Sequence, residues 1–352
     1  MHPKKNIQTL SVLEILCKGG EFSPAEILQN TLLSKDELLL YLQRLQQQQF
    51  PGLSFTEQQI MVREPVELLN VAAINGYLKE SDLPIHLQLF EEINSTNEYL
   101  LTAELPSSSL NICAAEWQTD GRGRLGRRWF MPMASHLSFS FSRQLSHINP
   151  ALNLLSLAAG VCVLEVLKAA GFHQLRLKWP NDIVVEDDNN LIKTGGILVE
   201  TRTSSLTGIK WVIGVGLNMS DTRNFGEALM QTIAQPVMGL NQLMGKKSKK
   251  LSRNQLLAEI INHWAELEQK VLHEPDQIIQ RWRDYDMLTG KCVEVTPASG
   301  SPYFGIARGI DNEGHLLVQR HQHNNRAINM ERLEKLSSGE VKVRVKKHEA
   351  LR

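Results

Sequence analysis

The sequence predicts an α+β protein in three parts: a helix-turn-helix unit with a small wing, a central domain on a mixed sheet, and a small C-terminal β-barrel. Three observations carry this. Two helix-capping signatures stand close together near the N-terminus; strand and helix patterns joined by hairpin-type turns alternate through the middle; short strands with glycine turns fill the last part. A chain of 352 residues has room for two or three such units, at roughly 100–200 residues per domain.

Ser23-Pro24-Ala25-Glu26 combines an N-cap serine, a proline at the first helical position and a glutamate three residues after the cap. Ser34-Lys35-Asp36-Glu37 repeats the box ahead of Leu38, Tyr41, Leu42 and Leu45, and two capped helices with a tight connection spell helix-turn-helix. Gly52 to Phe55 and Gln59 to Val62 are expected to pair as the wing. Glu64-Pro65 closes this unit at residues 1–64, and a helical connector is expected from about Val66 to Leu78, within 65–82. The central domain, 83–284, has strand patterns at Ile112–Trp117, His136–Ser142, Leu175–Trp179, Ile183–Glu186, Gly196–Glu200 and Ile209–Leu217. Helix patterns fall at Asn97–Ala103, Ala151–Ala170, Gln255–Leu272 and Gln277–Tyr285. The Asp187–Asn190 and Ser204-Ser205 connections suit antiparallel hairpins, hence the mixed sheet. Residues 285–352, with turns such as Gly305 to Asp311, read as the barrel.

The composition excludes several classes. The 38 Lys+Arg balance 38 Asp+Glu, so neither a basic nucleic-acid coat nor a polyanion sponge fits, and any DNA contact must be a local patch. A 42% hydrophobic, 22% charged chain is not a disordered one. Cys17, Cys113, Cys162 and Cys292 are widely spaced with no CxxC pair, which fits a reducing compartment. Glu14, Lys18 and Glu21 interrupt any signal-peptide apolar core, and the uncharged run Gln144–Leu164 contains His147, Asn149, Pro150 and Asn153, so a buried helix is expected rather than a membrane span. The expectation is a cytoplasmic protein with no membrane partner.

The chemistry concentrates in five places. Gly121-Arg122-Gly123-Arg124-Leu125-Gly126-Arg127-Arg128-Trp129 interleaves glycines, which let backbone N–H groups approach a phosphate, with arginine forks that supply charge-assisted donors. The same glycines satisfy G-x-G-x-x-G, but a dinucleotide fold needs a helix directly after them, and here Trp129, Phe130, Met131-Pro132 and an alternating strand come next. An unstructured Arg-Gly loop for RNA remains the alternative on the loop alone. Lys178-Trp179-Pro180-Asn181-Asp182 ends a strand, where proline turns the chain and projects polar groups, although alone it could be a capped turn. Lys193-Thr194-Gly195-Gly196-Ile197-Leu198-Val199-Glu200 and Gly214-Val215-Gly216-Leu217-Asn218-Met219 each set a polar residue beside glycines at a strand end. Asn94-Ser95-Thr96-Asn97 opens a helix with consecutive hydrogen-bonding side chains, at least one of them an N-cap. Together they suit an ATP-dependent enzyme acting on a small neutral polar group. His321-Gln322-His323 is read as solvated rather than metal-binding, Lys246–Lys250 as a solvated loop, and no nucleophile elbow or H-E-x-x-H pattern is present.

In order and spacing these motifs resemble the biotin–protein ligases, over about Leu89 to Met219. The flanking parts resemble the bifunctional bacterial type that is both ligase and biotin-operon repressor, with a winged helix-turn-helix and an SH3-like barrel. The resemblance implies two steps: biotin and ATP, with Mg²⁺, give biotinyl-5′-AMP and pyrophosphate, and a lysine of the apo-biotin carboxyl carrier protein then takes the biotin. It implies Ser95, Thr96, Asn97 and Gln118 at the biotin end, where amides and hydroxyls satisfy a ureido group. Arg122, Gly123, Arg124 and Lys193 would also touch biotin or its adenylate; Gly121, Gly123, Arg124, Trp129, Lys178, Asn181, Asn218, Glu340 and Arg344 would hold the nucleotide. Arg122, Arg124, Lys178, Asp182 and Lys193 would carry catalysis, and no residue set is expected to bind a resident metal. A carboxylate needs no general base in step one, only alignment and charge neutralisation; step two must deprotonate a lysine near pKa 10.4, for which Asp182 is the candidate. The glycine loop is expected to order when an anion satisfies its donors, and Asp221–Gln235 to close over the adenylate.

The N-terminal unit departs from the repressor type. Through Glu64 it has six Lys+Arg against seven acids, a poor balance for phosphate contacts, and its second helix offers a groove little beyond Lys35, Gln43 and Arg44. The wing, Thr56-Glu57-Gln58-Gln59, lacks basic residues. Operator binding by a homodimer and a domain kept for packing both stay open, as do a biotin-sensing transcription factor without ligase activity and a lipoate–protein ligase, the latter disfavoured by the Gly-Arg loop and the Lys178–Asp182 pattern.

Overall fold

Both capping boxes start helices. Ser23 Oγ accepts from the Glu26 N–H at the head of α1 (Pro24–Gln29), and Ser34 and Glu37 cap one another reciprocally at α2 (Lys35–Gln47). The computed structural model describes residues 12–129, 132–147, 149–188, 190–204, 208–220, 236–244, 251–297, 299–320, 333–337 and 341–345. The expected hairpin forms from β2 (Leu53–Phe55) and β3 (Ile60–Val62), and β1 (Gly20–Phe22) adds a third strand in the order β1-β3-β2. The 3.6-residue spacing of Leu38, Tyr41, Leu42 and Leu45 buries one face of α2 against Leu13, Leu16, Ile27, Ile60 and Val62, a core of its own.

That core extends into the central domain through Met133 and Ala134. Tyr41 donates to Glu91 at 3.1 Å, Gln48 to Glu92 at 2.9 Å, and the Met133 N–H to the Gln48 carbonyl at 2.9 Å. Arg44, expected to face a DNA groove, instead pairs with Glu92. The carboxylate of Glu92, in the central domain, claims it, which leaves Lys35 and Gln43 as the exposed members of that set.

The connector is less helical than its pattern suggests: α3 spans only Val71–Asn75, between the Asn70 cap and Gly76. The remainder is extended chain strapped to a later helix, α7 (Arg253–His273). The Glu67 carboxylate sits on that helix's N-terminus, accepting from Ser252 Oγ at 2.5 Å and the Arg253 N–H at 2.6 Å, where a negative charge offsets the unpaired donors. Asn254 and Asn262 take up backbone groups of Leu68, Asn70, Tyr77 and Lys79.

The central sheet has seven strands in the order β4-β5-β6-β10-β9-β8-β7. The strands are β4 (Ile85–Ile93), β5 (Leu110–Gln118), β6 (His136–Leu145), β7 (Arg176–Lys178), β8 (Asp182–Asp187), β9 (Asn190–Ser204) and β10 (Gly208–Asn218). Only β4 and β5 run parallel, joined through α4 (Thr96–Thr102), and the two expected hairpins close at Asp187↔Asn190 and Ser204↔Gly208. Strand β4 has no counterpart among the strand patterns of the sequence: it is a half-buried edge whose polar residues blur the alternation. One face is covered by α5 (Leu155–Ala169), α7 and α8 (Pro275–Tyr285), around Trp211, Trp264 and Trp282. The segment Pro150–Ala169 is long and apolar enough to cross a membrane, yet 67% of its apolar window is buried inside the protein, as the expected core helix. Short helix α6 (Leu240–Leu243) packs at the end of β10.

The C-terminal part corrects the expected barrel. Strands β11 (Cys292–Pro297), β12 (Tyr303–Ile310), β13 (Leu316–Arg320), β14 (Leu333–Leu336) and β15 (Val341–Val345) form an antiparallel sheet in the order β14-β13-β12-β11-β15, and among the described residues no ladder joins its two edges. The sheet need not close on itself, because Val293, Val295, Ala307, Leu316 and Val318 bury their apolar side in the central core. Trp179 Nε1 donates to the Gly314 carbonyl at 3.0 Å across that junction. His321–His323, Lys246–Lys250, Asp221–Gln235 and Glu340 lie outside the described residues.

Candidate active site

The site begins with two glycines of β10. A Cβ on Gly214 would lie 2.2 Å from Asn97 Oδ1, and one on Gly216 would lie 2.4 Å from the Trp129 ring. Their bare backbone lets an amide from α4 and an indole from the glycine loop rest directly on the sheet. Helix α4 opens with Ser95 as N-cap, and the Thr96 N–H and hydroxyl both approach Gln118 Oε1, at 2.9 and 3.2 Å.

The Gly121–Trp129 loop folds back on itself. The Gly123 N–H donates to the Arg127 carbonyl and the Trp129 N–H to the Gly121 carbonyl, each at 2.7 Å. Leu125 (φ 59°) and Gly126 (φ 69°) make the turn, and the next element is strand β6 rather than a helix, as expected for a loop that is not a dinucleotide motif. Arg124 Nη1 reaches across the cleft to Asn181 Oδ1 at 3.0 Å, and burial lowers its pKa. Arg122 lies 3.8 Å from Glu98 and 3.7 Å from Glu200.

On the far wall, Lys193 Nζ pairs with Asp182 Oδ1 at 2.6 Å and stands 5.4 Å from the Trp129 ring, a cation–π distance. Gly196 leaves it room, since a Cβ there would meet Lys193 Nζ at 2.9 Å. Lys178 is opposite Asp182 in the β7–β8 register. Burial pushes its ammonium pKa down; Asp182 opposes that, while Lys193, Arg344 and Arg127 add to it. The C-terminal sheet thus brings Arg344 within electrostatic reach of Lys178.

These groups line a cleft that opens to the surface. Ser95, Thr96, Asn97 and Gln118 line one end; Arg122, Gly123, Arg124, Trp129, Asn181 and Lys193 line the rest. Gly121, Lys178, Asp182 and Asn218 stand behind these walls and Arg344 outside them, while Lys35, Gln43 and Arg44 belong to the N-terminal unit. Among the described residues, buried Arg124 Nη2, Trp129 Nε1, Ser138 Oγ and Asn218 Oδ1 have no hydrogen-bond partner, and a bound ligand can supply one. Asn218 Oδ1 is an acceptor suited to a cation or an N–H. Sequence reasoning missed Ser138, Ser140 and Glu200. The serines alternate with Leu137, Phe139 and Phe141, a pattern that ordinarily marks a solvent face, but α4 and the cleft cover them. The small side chains on a strand flanked by buried aromatics were the available signal.

Fold and cleft define a class: an α+β protein whose cleft sets buried amides and hydroxyls beside arginines and a lysine. The chain belongs to the biotin/lipoate A/B protein ligase family, whose model matches residues 89–218. It is 32% identical over 323 residues to the bifunctional ligase/repressor BirA of Escherichia coli strain K12, covering 90% of this chain and 94% of that protein. It is 28% identical over 241 residues to the biotin–[acetyl-CoA-carboxylase] ligase of Mycobacterium tuberculosis, covering 66% of this chain and 82% of that one. The same fold occurs in a biotin protein ligase of Aquifex aeolicus solved with biotin and ATP (TM-score 0.58, 23% identity, 74% of this chain and 99% of that chain).

Proposed function

We propose that the chain activates biotin with ATP to biotinyl-5′-AMP and transfers the biotin to a lysine of apo-biotin carboxyl carrier protein. The observation that carries this is the composition of this cleft: amides and hydroxyls at one end, and the arginines and lysine of the glycine loop and β9 at the other. The first end suits a ureido ring, the second a carboxylate meeting a triphosphate. A lipoate head has no such N–H and C=O groups to satisfy these amides, which favours biotin within the family.

In the first step a biotin carboxylate oxygen forms a bond to the α-phosphorus and the bond to pyrophosphate breaks. Arg122, Arg124 and Lys193 hold the two anions together and Lys178 adds positive charge from behind the wall; the adenine lies against Trp129, with Asn181, Asn218 and the more distant Arg344 on the nucleotide side. Mg²⁺ would be part of the Mg·ATP substrate and would offset charge on the triphosphate. In the second step the carrier lysine attacks the acyl carbon, AMP leaves and one proton is released. Asp182 is paired with Lys193, so its first task is to position that lysine, and it accepts a proton when Lys193 turns to the adenylate. Biotin-dependent ATP–pyrophosphate exchange, followed by transfer to an apo carrier domain with lipoate as control acid, tests the reading.

A second activity is favoured by the match to a ligase/repressor over nine-tenths of the chain. In this reading residues 1–64 are a winged helix-turn-helix that binds operator DNA as part of a homodimer, 65–82 the connector, 83–284 the ligase domain and 285–352 the C-terminal unit of a cytoplasmic protein. The pairing of Arg44 with Glu92 makes such binding depend on Lys35, Gln43 and release of that pair. A mobility shift with Arg44→Ala and Lys35→Ala tests it: unchanged, salt-insensitive behaviour refutes DNA binding through α2.

A further inference from the structure

The polar end of the cleft is a chain of side chains whose direction is set at its outer end. Asn97 Nδ2 donates to Glu200 Oε2 at 2.7 Å and, at 3.3 Å, to the Leu198 carbonyl. Turned over, Asn97 would press its own oxygen against a carboxylate and a carbonyl, so the amide has one orientation. Its Oδ1, packed on Gly214, then faces Ser140 Oγ at 2.6 Å and takes the one hydrogen that this buried hydroxyl owns. The 2.7 Å contact between Ser140 Oγ and Thr96 Oγ1 must therefore draw its hydrogen from Thr96. Thr96 Oγ1 is left presenting lone pairs to the cleft. Beside it, Gln118 Oε1 is held by the Thr96 N–H at 2.9 Å, so Gln118 presents its Nε2 as a donor.

An acceptor next to a donor is the complement of the N–H and C=O of a cyclic urea. With Asn97 reversed, the chain would run the other way, from Asn97 through Ser140 and Thr96 to Gln118 Oε1 at 3.2 Å, and the acceptor would be lost. We infer that Glu200 is a positioning residue that sets the hydrogen-bond polarity of the head-group subsite through Asn97 and Ser140 without touching the ligand. This rests on the biotin reading and adds to it the group that makes the subsite fit a urea. The second carboxylate oxygen, Oε1, faces Arg122 at 3.7 Å, so one side chain contacts both the glycine loop and the head-group end.

The test is biotin calorimetry together with biotin-dependent ATP–pyrophosphate exchange on the full chain and on Glu200→Leu, Glu200→Gln, Ser140→Ala and the Glu200→Leu/Ser140→Ala pair. Glu200→Leu is expected to raise the Kd and KM for biotin about ten-fold or more, with the KM for ATP within about two-fold of the parent. Glu200→Gln keeps an acceptor oxygen facing Asn97 and is expected to restore most of the affinity. The double variant is expected to cost no more than the worse single one, because both cut the same chain. Additive losses, a parallel rise in the KM for ATP, or a Gln variant as impaired as Leu would each overturn the inference, the last by assigning the effect to charge facing Arg122. Ser140→Ala reads the same chain should Glu200→Leu not fold. A parent protein that neither binds biotin nor exchanges refutes the ligase reading and this inference with it; a normal parent with an unmoved Glu200→Leu refutes the inference alone.

Discussion

Gly216→Ala places one methyl group under the indole of Trp129. The added carbon would lie 2.4 Å from Cε2 and Cζ2 of that ring and 2.8 Å from Nε1. Carbon pairs rest at about 3.5–4.0 Å, so the ring must rise by about 1.1 Å or more, and the space above it is the cleft. The strand itself should not suffer, since alanine loses less freedom on folding than glycine. Trp129 also anchors the end of the glycine loop through its backbone bond to Gly121, and it faces the Lys193 ammonium. A misplacement of about 1 Å beside reacting groups costs on the order of 10²-fold. The expected outcome is a kcat/KM for ATP in biotin-dependent exchange lower by about two orders of magnitude, with the thermal midpoint nearly unchanged. A folded Gly216→Ala protein within about three-fold of the parent would refute the assignment of Trp129 to the nucleotide wall, since such a change is under about 1 kcal/mol.

Other parts of the molecule carry outcomes of their own. Lys178 is half-buried and its ammonium is held below the ordinary 10.5 by desolvation, so exchange should fall at alkaline pH before that value as its charge is lost, and Lys178→Arg should move the falling limb upward; one limb shared by both proteins contradicts this. His136 is fully buried with Nδ1 2.8 Å from the Pro132 carbonyl, and burial pushes its pKa from 6.5 to about 4. The unfolded chain therefore takes the proton first: stability is complete above pH 6.5, and about 3 kcal/mol is lost as the pH falls to 4. Urea unfolding of His136→Gln should flatten that slope, and an equal slope in both proteins would dismiss the cause. Arg253 holds Glu116 bidentately, at 2.7 and 3.2 Å, with both side chains buried. Arg253→Met leaves that carboxylate without its counterion and should cost about 3–5 kcal/mol in urea unfolding, while a loss below about 1 kcal/mol contradicts the pair's structural role.

What could be read from the sequence was what local chemistry dictates. The N-cap serines Ser23 and Ser34, the hairpins that close at Asp187↔Asn190 and Ser204↔Gly208, and the glycines of β10 act through neighbours a few residues away or through the bare backbone, and each is found at work. The same holds for the residues that line the cleft, because family motifs gather there. What escaped depends on partners far along the chain. Ser140 is buried because Thr96 and Asn97 reach it from 44 and 43 residues away, and Arg44 is withdrawn from α2's outer face by an acid 48 residues on. Edge strand β4 carries His86, Gln88, Glu91 and Glu92 on a half-buried ribbon, so period-two patterning never sharpens. The C-terminal strands were legible one by one, but their closure was not, since burial against Leu154 and Leu157 near Gly314 is a tertiary choice.

The central claim, a ligase that activates biotin at this cleft, is tested most directly by ATP–pyrophosphate exchange with biotin, with lipoate as control, and then in the same tube by transfer to apo-biotin carboxyl carrier protein. Exchange and transfer with biotin, and none with lipoate, is the expected result. Measurable biotin binding with no exchange from either acid would contradict it and leave a biotin-binding protein that does no ligation.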